Sequence, residues 1–145
     1  MQERPDSFSH PSLWRILAAI FYDSWLLGAL ILLGATIDTF TRHLFDYCAA
    51  TSYIPLQIYC LLAPLIFFVG FWTHGGQTLG MRAWRIRVVT SQGQPITFRQ
   101  AINRYFAAIL SWLACGLGYL WMLSDPEQQS WHDRLSDTYL VLVAR

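Results

Sequence analysis

Between Ile16 and Ile37 the sole charged side chain is Asp23, and the other positions are apolar, small or hydroxyl-bearing. A helix over this run is ~33 Å long at 1.5 Å per residue, enough to cross the hydrocarbon core of a bilayer. An isolated run in hydrocarbon has to satisfy its own backbone, so a helix is its only economical fold. The apolar stretch opens at Leu13 and carries Arg15 two turns before Asp23. A carboxylate near mid-bilayer is costly unless it is paired, hydrated or protonated. Asp23 is therefore a candidate functional group rather than filler.

Composition agrees with a membrane chain. Hydrophobic residues make up 54% of it and charged ones 13%, about half the charged share of a soluble domain. Ile54–Trp72 forms a second span without a charge, in which Pro64 is expected to produce a kink. Tyr53 and Trp72 suit the aromatic belts at its two ends. A third apolar stretch, Ala101–Leu123, is interrupted by Gly116-Leu117-Gly118. In the polar segment Thr73–Gln100, Trp84–Val88 alternates apolar and basic residues and runs into the turn-forming Ser91–Pro95. Tyr139–Val143 is a second strand-like run. The expected fold is an all-α integral membrane protein of two to three transmembrane helices with a small cytoplasmic strand pair. Residues 1–12 read as a polar tail and 13–145 as one membrane domain, with spans at about 13–37, 54–72 and 101–123. The tail lacks the basic start and small-residue cleavage site of a secretory signal, so the first helix is expected to be retained.

Arginine placement gives an orientation. Arg82, Arg85, Arg87, Arg99 and Arg104 follow the second span, whereas the polar connection Asp38–Ser52 holds only Arg42. The positive-inside rule puts the long segment and the N-terminus in the cytoplasm, in a multi-pass protein of the plasma or inner membrane. The third stretch leaves two topologies open. A full span would strand Tyr139–Val143 outside, whereas a re-entrant hairpin bent at Gly116–Gly118 would let it pair with Arg85–Val89. The net charge of +1 argues against a nucleic-acid partner. Cys48, Cys60 and Cys115 form no C-x-x-C spacing and the four histidines are scattered. Neither a metal site nor a cofactor is expected.

Separated motifs converge on one resemblance. They are Arg15 and Asp23, then Gly75-Gly76-Gln77-Thr78-Leu79-Gly80-Met81-Arg82, then Arg87-Val88-Val89 with Gly93. Trp131-His132-Asp133-Arg134-Leu135 and Asp137-Thr138 follow after the third stretch. In order and spacing the chain resembles the RDD family of small membrane proteins from Arg15 to Val143. The resemblance implies that Arg15, Asp23 and Asp133 are the name-giving arginine and two aspartates, with Arg104 at another commonly basic position. Met81 departs from the pattern, standing where a basic residue is usual. Ser136-Asp137 stands where small apolar residues are common. For such proteins transport of unspecified ions or ligands has been suggested.

The residues themselves allow two readings. Arg15 and Asp23 lie about 80° apart around a helix and ~12 Å apart along it, too far for a direct bond. Arg15 then reads as an interfacial anchor. Asp23 needs another partner: Arg104, a hydroxyl such as Tyr22 or one near Ser24, or its own proton. Asp133 is expected to pair with Arg82, Arg85 or Arg104 and to pin the C-terminal segment. Arg82, Arg85 and Arg87 could meet anionic lipid headgroups. No nucleophile stands in a recognisable context, so no enzyme is expected. One function is a small transporter in which Asp23 responds to a proton or cation within a polar network of Arg15, Arg104 and Asp133. Three short segments do not enclose a path alone, so transport implies a homo-oligomer in the bilayer. The alternative is a non-transporting scaffold or partner-binding module whose buried charges clamp helices together.

Overall fold

The computed structural model describes residues 10–44 and 53–143, so the Met1–Ser9 part of the tail lies outside the described residues. Helix α1 covers Leu13–Leu44. At about 48 Å it exceeds a bilayer core, and it continues past Ile37 through the start of the expected polar connection. That extension is helical because Asp38 and Arg42 meet across one turn, with Arg42 Nε 2.7 Å from the carboxylate. The remainder of the connection, 45–52, lies outside the described residues. Helix α2, Ile54–Thr73, opens with Pro55 in its first turn and runs unbroken through Pro64. It packs on α1 where Tyr59 crosses Gly34, and the Tyr59 hydroxyl donates to the Leu30 carbonyl at 2.7 Å.

Beyond α2 the chain doubles back into a small cap. A short helix α3, Leu79–Ala83, lies against α1, and strand β1 covers Ile86–Thr90. Thr97 and Gln100 close a capping box that starts helix α4, Phe98–Leu113. Its buried positions Ala101, Arg104, Ala107 and Ser111 recur at helical spacing, giving a face of mostly small residues that admits close neighbours. At Cys115 and Gly116 the backbone turns left-handed, with φ of 55° and 77°. Helix α5, Leu117–Leu120, and a single 3-10 turn, Trp121–Leu123, follow. This second limb is bent 105° from α4. Helix α6, Trp131–Leu135, and strand β2, Thr138–Leu142, complete the chain.

The sheet resolves the third apolar stretch. β1 and β2 are antiparallel, with Val88 opposite Leu140. Both ends of the α4–α5 segment therefore return to the same sheet, and Ala101–Leu123 is a bent hairpin rather than one straight span. Two helices, α1 and α2, are each long and apolar enough to cross a membrane. The main core joins Ile16 and Ala19 of α1 to Val69 and Trp72 of α2, with Met81, Ile86, Val88 and Ala101 closing it beneath the cap.

Candidate functional site

Two buried polar nodes fasten the cap to the helices. The first is built on Asp23, which is 3% exposed in the first half of α1. Its carboxylate accepts from the Thr78 hydroxyl and, at 2.8 Å, from the Gly80 backbone N–H. Thr78 also caps α3, its hydroxyl oxygen accepting from the Met81 N–H at 3.2 Å. Asp23 thus sits at the start of α3, where the backbone donors of a first turn lack helical partners. The close approach requires glycine, because a Cβ on Gly80 would stand 2.3 Å from the Ala19 carbonyl oxygen.

The second node joins α4, α6 and β2. The Arg104 guanidinium donates to Asp133 and, at 2.6 Å, to the Thr138 hydroxyl. Its Cζ lies 5.3 Å from the centre of the Trp72 ring, a cation–π distance. The other Asp133 oxygen accepts from the Ser130 N–H at 3.0 Å and from the Ser130 hydroxyl. Ser130 Oγ lies 2.9 Å from His132 Nε2. Since its one hydrogen is directed at the carboxylate, Ser130 accepts from His132, which places the imidazole proton on Nε2 and makes Nδ1 an acceptor.

Burial raises the Asp133 carboxyl, but the Arg104 charge, His132 and the Ser130 hydroxyl together outweigh it and hold the group below its ordinary range. Burial pushes the neighbouring His132 down to about 4, from an ordinary value of 6.5, so the ring is neutral at pH 7. The unfolded chain takes up this proton first on acidification. The His132 contribution to stability is therefore complete above pH 6.5 and lost as pH falls toward 4. At roughly 1.4 kcal/mol per pKa unit the full loss is about 3 kcal/mol. Thermal unfolding in detergent should show a falling midpoint across that window. His132→Gln should flatten this part of the profile, and an unchanged slope in that variant would assign the loss to another group.

Between the nodes lies a cavity of about 240 Å³, bounded by Ile16, Asp23, Trp72, Met81, Arg104 and His132 among others. Its wall is mostly apolar, and Thr78, Tyr105, Trp112 and Tyr119 add further polar atoms to it. Among the described residues no cluster of His, Cys, Asp and Glu has the geometry to hold a metal ion.

The expected network is therefore two nodes. Arg104 and Asp133 are brought together, whereas Arg15 is exposed and joins neither. Asp23 does not meet Arg104, Tyr22 or Ser24. Arg104 is engaged by Asp133, Tyr22 is 51% exposed, and the Ser24 hydroxyl turns back to the Ile20 carbonyl at 2.8 Å. The partners that sequence reasoning missed are Thr78, Gly80, Ser130 and Thr138. Ser130-x-x-Asp133 carries a recognisable capping-box signal, but Thr78 reaches Asp23 only through the fold. Arg82, Arg85 and Arg87 all point outward, with Arg87 Nε donating to the Gly75 carbonyl at 3.1 Å. Met81 is buried on the cavity wall.

The RDD family profile matches residues 10–137 and so covers the first node and all of the second except Thr138. This chain belongs to the RDD family. It is also 28% identical to Uncharacterized protein YxaI of Bacillus subtilis (strain 168) over 92 residues, which make up 62% of this chain and 60% of that protein. The match thus spans less than two thirds of that relative's length. No solved structure matches the chain at a significant level. Family and apolar helices together make this a membrane protein.

Proposed function

We propose that this chain is a non-enzymatic, multi-pass module of the cell membrane whose buried charges clamp its helices to a cytoplasmic cap, presenting a fixed surface to a partner. The observation that carries this reading is the engagement of both carboxylates by internal donors. Asp23 is held by Thr78 and Gly80, more than fifty positions away in the chain. Asp133 is held by Arg104 and Ser130. A carboxylate serving as an ion carrier would have to give up such donors, and with them the hold on the cap, each time it took its ion. The N-terminus is cytoplasmic in this reading, and exposed Arg82, Arg85 and Arg87 meet anionic headgroups on that side.

A second reading, proton- or cation-driven transport by a homo-oligomer, draws on the cavity that adjoins Asp23. Proteoliposomes separate the two. Under the clamp reading, wild type carries no flux under pH, sodium or potassium gradients. Asp23→Asn, which keeps one acceptor oxygen but loses the charge, should lower the unfolding midpoint by the equivalent of about 1–3 kcal/mol. Flux in wild type that Asp23→Asn abolishes at an unchanged midpoint would establish transport and overturn the clamp.

A further inference from the structure

The cavity between the two nodes opens sideways, partway along a membrane span. Helix α4 runs antiparallel to α2, since Arg104 lies over Trp72 and the ring of the next residue, Tyr105, lies 6.3 Å from that of Phe68. One turn further on, Ala108 and Ile109 share the cavity wall with Pro64. Pro64 stands halfway along Ile54–Thr73, so this end of the cavity lies near the middle of the span. Trp72 bounds the other end, eight residues or about 12 Å away along α2. Of the described wall residues, Ile109 and Trp112 alone are exposed, at 39% and 57%. They mark the mouth. Both belong to Tyr105–Leu123, a run without a charged side chain, and Phe106, Leu110 and Leu113 beside them are exposed too. The mouth is therefore continuous with the apolar surface that α2 turns to the bilayer, and it opens onto hydrocarbon.

A mostly apolar void of this size is costly to leave empty, because its lining forfeits packing contacts. The charged groups on the wall are already engaged, Asp23 by Thr78 and Gly80 and Arg104 by Asp133 and Thr138. No net charge therefore calls an ion or a charged headgroup inward. We propose that the cavity takes the terminal part of an acyl chain of a bilayer phospholipid, inserted tip first between α1, α2 and α4. Scaled from the roughly 150 Å³ cavity that accommodates benzene, about 240 Å³ receives roughly eight to ten carbons. A chain seated there fills the gap between the pair of spans and the bent hairpin, and it occupies the space through which an ion would pass to Asp23. The site rests on the cavity and its mouth, so it stands or falls apart from the clamp.

Two photoreactive phosphatidylcholines test this on the full-length protein in nanodiscs of unlabelled phosphatidylcholine. One probe carries a diazirine at the end of an acyl chain, the other beside the ester. Ala19 and Met81 line the cavity and are 2% and 8% exposed, so a chain reaches them from inside it. Crosslinks located by mass spectrometry should show the terminal probe on these two residues roughly tenfold more than the ester-side probe, because an ester buried without a donor is costly. Labelling of the exposed helix surfaces confirms that each probe is inserted and photoactive. Ala108→Phe, which fills the space from α4, should bring the inner labelling to background while the surface labelling persists. The comparison of the two probes in wild type decides even where that variant misfolds. Inner residues left unlabelled by the terminal probe, with the surfaces labelled, would overturn the proposal and assign the cavity to water. Equal inner labelling by both probes, or inner labelling that survives in folded Ala108→Phe, would overturn it as well, since either means that the probes arrive through opening of the fold.

Discussion

Arg104→Met should lose about 3–5 kcal/mol of stability, a large share of the roughly 5–15 kcal/mol of a typical domain, because it removes the cation paired with a buried carboxylate. Asp133 is 3% exposed, and its remaining donors are the Ser130 backbone and hydroxyl. Those two cannot offset a full charge in a low-dielectric interior. The loss should fall on the cap, since Arg104 ties α4 to α6 through Asp133 and to β2 through Thr138. Arg104→Lys should fall between, keeping the charge but losing the planar guanidinium that lies over the Trp72 ring. The decisive comparison is the double variant Arg104→Met with Asp133→Asn. Its amide oxygen still accepts from Ser130 and no charge is left unpaired, so much of the stability should return. Fluorescence-detected size exclusion with thermal challenge in detergent measures all four proteins. A single variant as stable as wild type would show that the pair contributes nothing to the fold.

Gly80→Ala should separate the cap from α1. The added Cβ would stand 2.3 Å from the Ala19 carbonyl oxygen and 2.9 Å from the Asp23 carboxylate. A backbone carbonyl within a long helix cannot move aside, so α3 must retreat. That retreat lengthens the bond from the Gly80 N–H to Asp23, now 2.8 Å. Overpacking costs about 1–3 kcal/mol, and a hydrogen bond to a charged group adds about 1.5–3. The expected total is about 2.5–6 kcal/mol. Gly28→Ala is the matched control, because a Cβ there meets nothing within 4 Å. In mid-helix that change should be neutral or stabilising by up to about 1 kcal/mol. Limited proteolysis between α3 and β1, followed alongside the unfolding midpoint, should show cleavage accelerated in Gly80→Ala alone. Equal behaviour of the two alanine variants would mean that the close approach carries no weight.

Several features were readable because they depend on local rules. The uncharged run at Ile54–Trp72 becomes α2, and the alternation at Trp84–Val88 becomes β1 shifted two residues along the chain. The pairing of Asp133 with Arg104 was one of three expected alternatives, beside Arg82 and Arg85. Other features were not readable. Asp23 was expected to look for a charge or a hydroxyl on its own helix, and it is met by a threonine and a backbone amide from the α2–α3 connection. A backbone donor has no sequence signature, and Thr78 is one of many hydroxyls. Arg15, grouped with Asp23 by spacing and by family resemblance, stays exposed because a helix face shared over two turns does not bring two side chains into contact.

By itself, the sequence determined that this is a membrane chain, that two segments can cross, that a buried carboxylate sits in the first, and that the family is RDD. Each of these follows from hydrophobic length, charge placement or motif order, which are properties of the chain read along its own direction. Only the tertiary structure decided that the third apolar stretch bends back. It also decided that the charges form two nodes rather than one, and that a cavity of about 240 Å³ lies between them. These depend on contacts between residues twenty-nine to fifty-seven positions apart, and no local periodicity encodes which distant donor comes to lie beside a given carboxylate.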